Sequence, residues 1–412
     1  MNVKMKRILI VLAAALFLLP ACEKINREQD LKPEDLTDPV PIELTKADET
    51  VRNASNSFGM KVFGELLGRF DKKDVSFSPL SLSLALAMAG EGAEGDTFKQ
   101  FADVIGWGSA TKAEVGDFYE KMIDGLVTAD PLVEFSSNNS LWAALDFTLK
   151  EDYKSLLEKS FAAESHSVDF KDAATLGKIN KWCSDKTDGK IPQMLSELDP
   201  HLRLMLINAL LFKAPWHITW EVKTDRPFQG FAGKVNKDYL YAKKPLSYGE
   251  YEDYEYVAIP YGNGAYEMDI VLPKEGKSVR DVLPEVEYDA FQYAYPGSEV
   301  ELYLPKWSTD FSTEDSLIPI LRSMGMTLPF SDAADFSGMA DEALLIGSIL
   351  QKVRIDVSEK GTEFAAVTVI GFFDSALPVT PKQVVLDLNR PFAYFIREKS
   401  SNTLLLAGTL AN

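Results

Sequence analysis

The sequence predicts one large α+β domain that follows a polar N-terminal segment. Apolar residues recur at helical spacing in the front half, whereas the back half holds short apolar runs bounded by turn residues, which are typical of strands. At roughly 150 residues per domain, the length of 412 residues would predict two or three domains. From about residue 51 onward, however, no stretch is rich enough in Pro, Gly and Ser to divide the chain. Helices early and strands late therefore indicate a single mixed domain.

Residues 1–21 are typical of an export signal. A basic start precedes residues 8–19, an apolar run of 12 residues, whereas a bilayer span needs about 20. The run ends in Leu-Pro-Ala-Cys, which resembles the cleavage box of bacterial lipoproteins, so Cys22 is predicted to be the lipidated first residue of the mature chain. We then expect an exported protein on a bacterial membrane, at the periplasmic face or the cell surface. An ordinary secretory signal with an incidental Cys22 is the alternative.

Residues 22–50 are predicted to form a flexible tether between the lipid and the domain. They are polar and acidic, contain Pro33, Pro39 and Pro41, and show no apolar periodicity. A disordered N-terminus without a spacing role is the alternative. The folded domain is predicted to span residues 51–412.

The helices of the front half are predicted from periodicity and from one start signal. Six apolar residues fall at helical spacing and mark one buried face: Phe58, Val62, Phe63, Leu66, Leu67 and Phe70. Ser78 and Pro79 are typical of a helix start, and the nearly all-apolar run 80–90 predicts a buried helix after them. Residues 180–195 mix helical residues with a break at Gly189.

Four segments of the back half predict strands. Three of them, 268–272, 300–304 and 404–410, are short apolar runs bounded by turn residues. In the fourth, 352–358, polar and apolar residues alternate with a period of two, which is the pattern of a half-buried strand.

Composition excludes several classes of function. The formal net charge of −19 would repel a polyanion, so we expect no nucleic-acid partner. Two cysteines exclude a disulfide scaffold. Three histidines leave little material for a metal site, and neither a metal nor a cofactor is predicted.

No motif singles out an enzyme. The glycine-rich segment 90–95 fits a dinucleotide-binding fingerprint in its letters, but it follows a predicted helix where the fingerprint follows a strand. Any of His166, His201 and His217 could in principle partner a serine, and abundant carboxylates leave a paired-acid hydrolase open. No such pair stands out by its context, and on the residues alone a hydrolase stays open as an alternative.

The most informative stretch is residues 358–391. A predicted strand ends at Ser358, and a turn-like run leads into small and β-branched residues up to 370 and then into a loop up to 381. A loop this long in a compact domain is usually functional. If exposed, such a β-competent, nearly uncharged segment is prone to aggregate unless it can join a sheet. One place to join is a gap beside the strand that precedes it.

From about residue 51 to 412 the chain resembles the serpin family in eight segments that occur in the family's order. The segments are 76–81, 179–191, 207–216, 260–273, 300–306, 334–338, 359–366 and 389–392. They include the helix start Phe-Ser-Pro-Leu-Ser, the strand Asn-Ala-Leu-Leu-Phe-Lys-Ala-Pro-Trp and the run Glu-Lys-Gly-Thr-Glu. The resemblance implies helices packed around a large central β-sheet, two smaller sheets and an exposed reactive-centre loop at about 359–385.

The resemblance implies a suicide-substrate inhibitor of serine endopeptidases, with cysteine endopeptidases as a further target class. The protease forms an acyl-enzyme with the loop, which then inserts as a new strand and drags the protease along. Roughly ten new ladder hydrogen bonds at about 0.5–1.5 kcal/mol each make stored strain on the order of 10 kcal/mol reasonable. We expect a monomer whose partners are a protease and, through the lipid, a membrane. The acidic charge argues against activation by glycosaminoglycans.

By the resemblance, residues 359–366 contain the hinge of the loop. Its members are Glu359, Gly361, Thr362, Glu363, Phe364, Ala365 and Ala366. Thr362 is expected to insert first and to bury its small side chain between the parting strands. Phe364 stands where the family usually has Ala, and its bulk is expected to slow insertion. The alternative function is therefore a non-inhibitory serpin-fold binding lipoprotein that proteases cleave as a substrate.

Spacing within the family implies the position of the scissile bond. The seventeenth residue counted from Glu359 is Ser375, so the predicted bond is Ser375–Ala376, with Phe373 and Leu377 as alternatives. A count back from the strand after the loop gives about residue 380 instead. Residues 364–381 contain no Arg or Lys, which favours an elastase- or subtilisin-like target over a trypsin-like one. Phe373 would suit a chymotrypsin-like protease.

The resemblance also implies which residues line the opening of the large sheet. Ser78, Ser81, Asn208 and Gln351 match a polar cluster, and Trp216 matches the aromatic residue at the top. Gln351 replaces a His found in many members, so no titration switch is expected there. Without the resemblance these residues would be interpreted as a helix cap, satisfied polar groups and a core Trp.

Overall fold

The computed structural model describes residues 37–146, 148–293, 297–362 and 381–412, and the predicted α+β class is confirmed. The helices are α1 Lys46–Arg69, α2 Pro79–Glu91, α3 Gly95–Ile105, α4 Lys112–Thr128, α5 Glu151–Phe161, α6 Ala173–Lys186, α7 Val279–Val282 and α8 Leu317–Ser323. The strands are β1 Val75–Phe77, β2 Glu134–Ala144, β3 Ala163–Val168, β4 Leu204–Lys213, β5 Glu221–Gly230, β6 Gly233–Glu250, β7 Tyr254–Tyr261, β8 Tyr266–Pro273, β9 Ser298–Pro305, β10 Trp307–Ser312, β11 Lys352–Ser358, β12 Gly361–Thr362, β13 Lys382–Asp387, β14 Phe392–Glu398 and β15 Thr403–Leu410.

Three sheets organise the described residues. Nine strands form one mixed sheet in the order β1-β15-β14-β8-β7-β6-β9-β13, with β5 paired to β6. The other two sheets have three strands each, in the orders β10-β11-β12 and β3-β2-β4. An antiparallel bridge between Ala214 and Thr362 joins these two small sheets. They are therefore two half-sheets, and below the bridge a cleft separates β4 from β11.

Helix α1 begins earlier than the sequence prediction placed the domain. Thr45 caps it in a capping box with Asp48, and the six apolar residues predicted as one face are buried, five in the helix and the sixth at its end. Residues 46–50, predicted as tether, therefore belong to α1. The chain before the helix is also packed, because the amide of Val40 donates to the carbonyl of Ala129 (3.1 Å) and the Ile42 side chain is buried.

Helix α2 forms as predicted and is the central helix of the fold. Ser78 is its N-cap, accepting from the amide of Ser81, and Pro79 occupies the first turn. Nearly all of its residues are buried, because it packs against both β4 and β15. The glycine-rich segment 90–95 is the exit of this helix, and a Cβ at Gly92 would lie 2.1 Å from the side chain of Met339.

The four predicted strands are present as β8, β9, β15 and β11. Along β11 the side chains alternate between buried and more exposed, as the period of two predicts. The front half contributes strands β1 to β4 as well, so it is less purely helical than its periodicity indicates. The helix predicted around residues 180–195 ends at Lys186, and Gly189 takes a left-handed conformation (φ 77°) in the turn after it.

Candidate functional site

A tight turn carries the chain from β11 into β12 at the top of the cleft. Gly361 has φ 127°, and a Cβ built there would lie 2.1 Å from the carbonyl oxygen of Ala214. Only glycine therefore fits this position without displacing the neighbouring chain. The ammonium of Lys306 bonds the Glu359 carboxylate at 2.7 Å and thereby lowers the pKa of Glu359 below its usual value.

Thr362 is seated between the two half-sheets. Its amide donates to the carbonyl of Ala214 (3.0 Å), and the amide of Ala214 donates back to the carbonyl of Thr362 (2.9 Å). Its hydroxyl forms a 2.7 Å hydrogen bond with the hydroxyl of Tyr261, and the residue is 3% exposed. The first residue of the predicted inserting segment thus already occupies a position between β11 and the end of β4.

Trp216 closes the top of the cleft. Its ring stacks on that of Tyr261, with 4.4 Å between centroids, and its Nε1 donates to the carbonyl of Ser358 at 2.8 Å. The tryptophan therefore connects the chain after β4 to the last residue of β11. Its place matches the one that the family resemblance implies.

Below Thr362 a narrow cleft is lined by both half-sheets, by the start of α2 and by the large sheet. On β4, Leu206, Leu210 and Phe212 are only half-buried, whereas the alternate residues Ile207, Ala209 and Leu211 are buried. Among the described strands β4 pairs along its length with β2, and its other edge, toward β11, has no partner strand below the bridge at Ala214. Such an apolar edge would gain from a further strand.

Three of the four predicted polar residues form one cluster at the cleft. The backbone amide of Ser78 donates to Gln351 Oε1 (2.7 Å), and Gln351 Nε2 donates to the carbonyl of Ser78 (2.9 Å). The Ser78 hydroxyl donates to that of Ser81 (2.9 Å). Gln351 thus makes two hydrogen bonds to one residue and fixes the N-terminus of α2 against the chain that enters β11.

Asn208 lines the same cleft but bonds to other residues. Its Nδ2 donates to Ser137 Oγ (2.9 Å) and Asn139 Oδ1 (2.7 Å) on the neighbouring strand β2. Within the described ranges no donor reaches Asn208 Oδ1, although this oxygen is buried. The predicted cluster is therefore split, with Asn208 on one wall and Ser78, Ser81 and Gln351 on the other side.

The sequence prediction missed the segment that crosses the front of the cleft. We call residues 187–203, between α6 and β4, the strap. Lys352 Nζ on β11 donates to the carbonyl of Gln193 in the strap (3.1 Å), and Lys190 Nζ lies 3.9 Å from the carboxylate of Asp356 on β11. The polar phase of the β11 alternation marks Lys352 and Asp356 as outward-facing, but periodicity does not show which segment they meet.

A buried lysine anchors the strap on its other side. Lys213, at the end of β4, is 4% exposed on its side chain and forms a 2.6 Å ion pair with Asp188. Glu134, on the adjacent strand β2, lies 3.6 Å away. The strap is therefore attached to the β4 half-sheet through the Asp188–Lys213 ion pair. It is attached to the β11 half-sheet through Gln193 and Lys190.

The remaining predicted residues lie outside the described residues. They are Cys22, Glu363, Phe364, Ala365, Ala366, Phe373, Ser375, Ala376 and Leu377. Ala365, Ala366 and the predicted scissile bond therefore remain predictions.

The histidines do not converge. His166 stacks on Trp142 (4.2 Å), and His217 Nδ1 bonds with the carbonyl of Gly262 (2.8 Å). Across the described ranges no group of three or more His, Cys, Asp or Glu side chains is arranged to hold a metal ion. None of the helices in those ranges combines the length and apolarity needed to cross a membrane.

Comparison with known proteins identifies one family. A family model described as Serpin (serine protease inhibitor) matches residues 53–412. Iripin-3 of Ixodes ricinus is 30% identical over 381 residues, which cover 88% of this chain and 94% of that protein. An uncharacterised serpin-like protein of Thermococcus kodakarensis is 30% identical over 372 residues, covering 89% and 86% respectively.

Solved structures agree with the sequence relatives. The native structure of the thermophilic serpin tengpin superposes with a TM-score of 0.79 at 27% identity, covering 93% of this chain and 99% of that one. Serpin48 of Tenebrio molitor, described as a highly specific serpin, gives a TM-score of 0.76 at 26% identity. The fold that the resemblance implied is therefore confirmed over almost the whole described chain.

Proposed function

The chain belongs to the serpin family, and we propose that it acts as a suicide-substrate inhibitor of endopeptidases and has no enzymatic activity of its own. The observation that carries the proposal is the seat of Thr362, paired with Ala214 at the head of a cleft that no other strand of the described residues fills. After attack by a protease, the segment behind Thr362 would extend this pairing down the cleft. The acyl-enzyme would then be carried away from the end where it formed.

The free energy for insertion would come from the two cleft edges. Leu206, Leu210 and Phe212 would lose their remaining exposure, at roughly 25 cal/mol for each Å² of apolar surface buried. New ladder hydrogen bonds to β4 and β11 would add about 0.5–1.5 kcal/mol each. These gains need only make insertion faster than deacylation for inhibition to result.

The proposed target is an elastase- or subtilisin-like serine protease. A small uncharged residue, Ser375, precedes the predicted scissile bond, and residues 364–381 contain no basic side chain. Phe373 and Leu377 are the alternative residues before the scissile bond. Cleavage after Phe373 would suit a chymotrypsin-like protease instead.

We further propose that the inhibitor is anchored by a lipid on Cys22 to a bacterial membrane. Residues 8–22 support this proposal by their apolar run and cleavage-box pattern. The anchor would hold the inhibitor where exported or external proteases threaten the envelope.

The test is incubation with elastase and with subtilisin, followed by denaturing electrophoresis and mass spectrometry of the released peptide. We expect a complex that survives denaturation and a released peptide that begins at Ala376. The matched variant Ser375→Arg should extend inhibition to trypsin, because it changes only the residue before the bond. A chain that is merely cleaved, with no stable complex at any protease ratio, would contradict the inhibitory function.

A second candidate is favoured by Phe364. If its bulk makes insertion slower than deacylation, the protein is a substrate with a binding role. Cleavage without complex formation is the result that this candidate predicts.

A further inference from the structure

The chain ahead of α1 is fixed to the body of the domain. We call residues 38–45 the arm. The side chain of Ile42 in the arm is 7% exposed, and it rests on Gly125 of α4, where a Cβ would lie only 2.9 Å from it. The amide of Ile42 donates to the hydroxyl of Ser400, between β14 and β15 (2.8 Å). The arm is therefore held by an apolar contact and by a hydrogen bond to a distant part of the chain.

The start of the arm lies beside the top of the cleft. The amide of Val40 donates to the carbonyl of Ala129, just after α4 (3.1 Å). The next residue, Asp130, is buried and accepts the amide of Asn263 in the turn between β7 and β8 (2.7 Å). The amide before that of Asn263 donates to the carbonyl of Pro215, one residue beyond the bridge that seats the hinge (2.8 Å). A short series of contacts thus connects the arm to the hinge.

The direction of the strands confirms that the arm and the hinge share one end of the domain. Glu134, at the start of β2, pairs with Lys213 at the hinge end of β4. At the other end of the same ladder Ala143 pairs with Leu204, and Leu145 follows directly. The ten residues of β4 separate these two ends by about 30 Å. The chain before the arm therefore leaves the domain at the end where β12 leads into the predicted reactive loop.

We propose that the arm fixes the exit of the tether at this end, so that the anchored protein turns its reactive end toward the membrane and meets proteases at that surface. The inference rests on the proposed function, because the lipid and the inhibitory loop both belong to it. The arm adds the orientation, which neither a lipid nor a loop determines by itself.

The length of the tether limits the size of the protease. Fifteen residues, 23–37, separate Cys22 from the arm. A chain of this length spans at most about 50 Å when extended and about 22 Å as a flexible linker. A protease domain of about 250 residues is roughly 45 Å across. The space between membrane and reactive end would therefore admit one compact protease domain and exclude a larger assembly.

Orientation is measured by energy transfer from a dye on the protein to an acceptor lipid in vesicles of phosphatidylethanolamine and phosphatidylglycerol. Lys360→Cys carries the dye beside the hinge and Leu145→Cys carries it at the far end, both at exposed positions. Cys183 is buried, so brief labelling reaches the introduced thiol. With the chain held by its lipid on Cys22, transfer from position 360 should be at least about threefold that from position 145. Equal transfer would overturn the orientation.

Variants of the arm test whether its seat is the cause. Ile42→Asp places a charge in a buried seat and should release the arm, which lowers the ratio of the two transfers about twofold because the tether gains eight residues. Gly125→Leu should do the same from the side of α4, should Ile42→Asp fail to fold. The matched control Val40→Asp adds the same charge at a position that is 51% exposed and should leave the ratio unchanged. A released arm with an unchanged ratio would overturn the role of the arm.

Reversal of the attachment tests the partner. Subtilisin is held on the vesicles by a histidine tag and a nickel-chelating lipid. The lipid-anchored parent should inhibit it about tenfold faster than a Cys22→Ser, Leu145→Cys protein attached to a maleimide lipid at the far end, because only the parent holds its reactive end near the protease. The two proteins should inhibit equally in detergent. Equal rates on vesicles would overturn the membrane-facing presentation.

Failure of the proposed function would have a different signature. A parent that forms no complex with subtilisin even in detergent would contradict the inhibitory function, whereas the energy transfer would still report the orientation. A Cys22 without lipid by mass spectrometry would contradict the anchor. The orientation is then measured with the same chain held at residue 22 by a histidine tag on the nickel-chelating lipid, and the same threefold ratio is expected.

Discussion

At the scale of single residues, the cleft depends on positions where one atom more or less decides the geometry. Gly361 can approach Ala214 only because it has no Cβ, and this approach seats Thr362 beneath Trp216.

Away from the cleft, burial changes the pKa of one acidic side chain. Glu91 lies at the end of α2 beside Gly116 and Ser160, and burial raises its pKa to about 7.

Gly361→Ala is expected to lower the free energy of unfolding by about 1–3 kcal/mol. The new Cβ would collide with the carbonyl of Ala214, and φ 127° is strained for any residue with a side chain. Urea unfolding measures the loss. Gly177→Ala is the matched control, because Gly177 lies exposed in α6 with no atom within 4 Å of the new Cβ. Equal stability of the parent and the Gly361 variant would contradict the geometry.

Glu91→Gln is expected to change the pH dependence of stability. Burial raises the pKa of Glu91 from its ordinary 4.5 to about 7, so the folded state favours the protonated acid. That preference stabilises the protein fully below about pH 4.5 and is lost as the pH rises through 7. The Gln variant should therefore be more stable than the parent at pH 8, by at most about 3 kcal/mol, and similar at pH 4.5.

The control for that comparison is Glu158→Gln, at an exposed position of α5. Thermal melts of the three proteins at pH 4.5, 6 and 8 give the differences. If the melting temperatures of both variants equal that of the parent at every pH, the pKa of Glu91 is not raised in the folded state.

At the scale of elements, two half-sheets, the strap and α6 form a unit that must part before a strand can enter. The strap continues directly into β4, so it would move with that half-sheet, and its contacts to β11 must break. Cys183 on α6 is fully buried, and burial raises the pKa of its thiol to about 12. Its alkylation would therefore report transient displacement of α6.

Lys190→Met is expected to speed alkylation of Cys183 about two- to fivefold, since loss of an exposed ion pair costs about 0.2–1 kcal/mol. The Lys190 ammonium faces Asp356 across the cleft, so the variant loosens the strap from β11. Peptide mass spectrometry after timed alkylation distinguishes Cys183 from Cys22. Lys181→Met is the control, because Lys181 pairs with Asp185 within α6 itself. Identical rates in both variants would show that this contact does not restrain the strap.

Phe364→Ala is expected to lower the stoichiometry of inhibition, or to create inhibition that the parent lacks. If the chain continued from Thr362 in its antiparallel pairing with Ala214, residue 364 would fall opposite Phe212, whose ring already has the rings of Tyr261 and Tyr266 at 5.5 Å. A second bulky ring there should slow entry. Titration of elastase with the parent and the variant measures the effect, with Val367→Ala as the control on the other strand face. A higher stoichiometry for Phe364→Ala would show that the ring assists insertion.

How far the sequence predicts these elements depends on whether the signal is local. The cap at Ser78, the alternation of β11 and the turn after Ser358 are local patterns, and the structure has each of them. Thr45 and Asp48 also form a local capping pattern, and it would have placed the start of α1 correctly. Asn208 lines the same cleft as Ser78 and Gln351, but its side chain donates to residues of β2, a long-range contact that local sequence does not show.

At the scale of the whole molecule, the described residues leave the cleft between β4 and β11 without a strand below Thr362. β4 is apolar in both phases, so its sequence did not reveal that one face remains half-buried. The free energy of the uncleaved fold is therefore expected to be higher than that of an alternative arrangement of the same chain.

Cleavage within residues 373–380 is expected to raise stability by an amount on the order of 10 kcal/mol, because one added strand forms about ten ladder hydrogen bonds. Guanidinium unfolding of intact and cleaved protein measures the gain. Thr362→Arg is the control, since a long charged side chain cannot occupy the buried seat of Thr362. The cleaved control should unfold like the intact protein. A cleaved parent with no gain would mean that the cleft is not filled.

The bridge between Thr362 and Ala214 has a kinetic consequence. Forming a new strand normally requires a slow nucleation step, in which a loop is closed before any contact compensates for its lost entropy. Here the turn after β11 is formed and the first pair of hydrogen bonds already exists. Strand growth in this molecule would therefore need propagation but no new nucleation. Its rate would depend on how readily β4 and β11 separate.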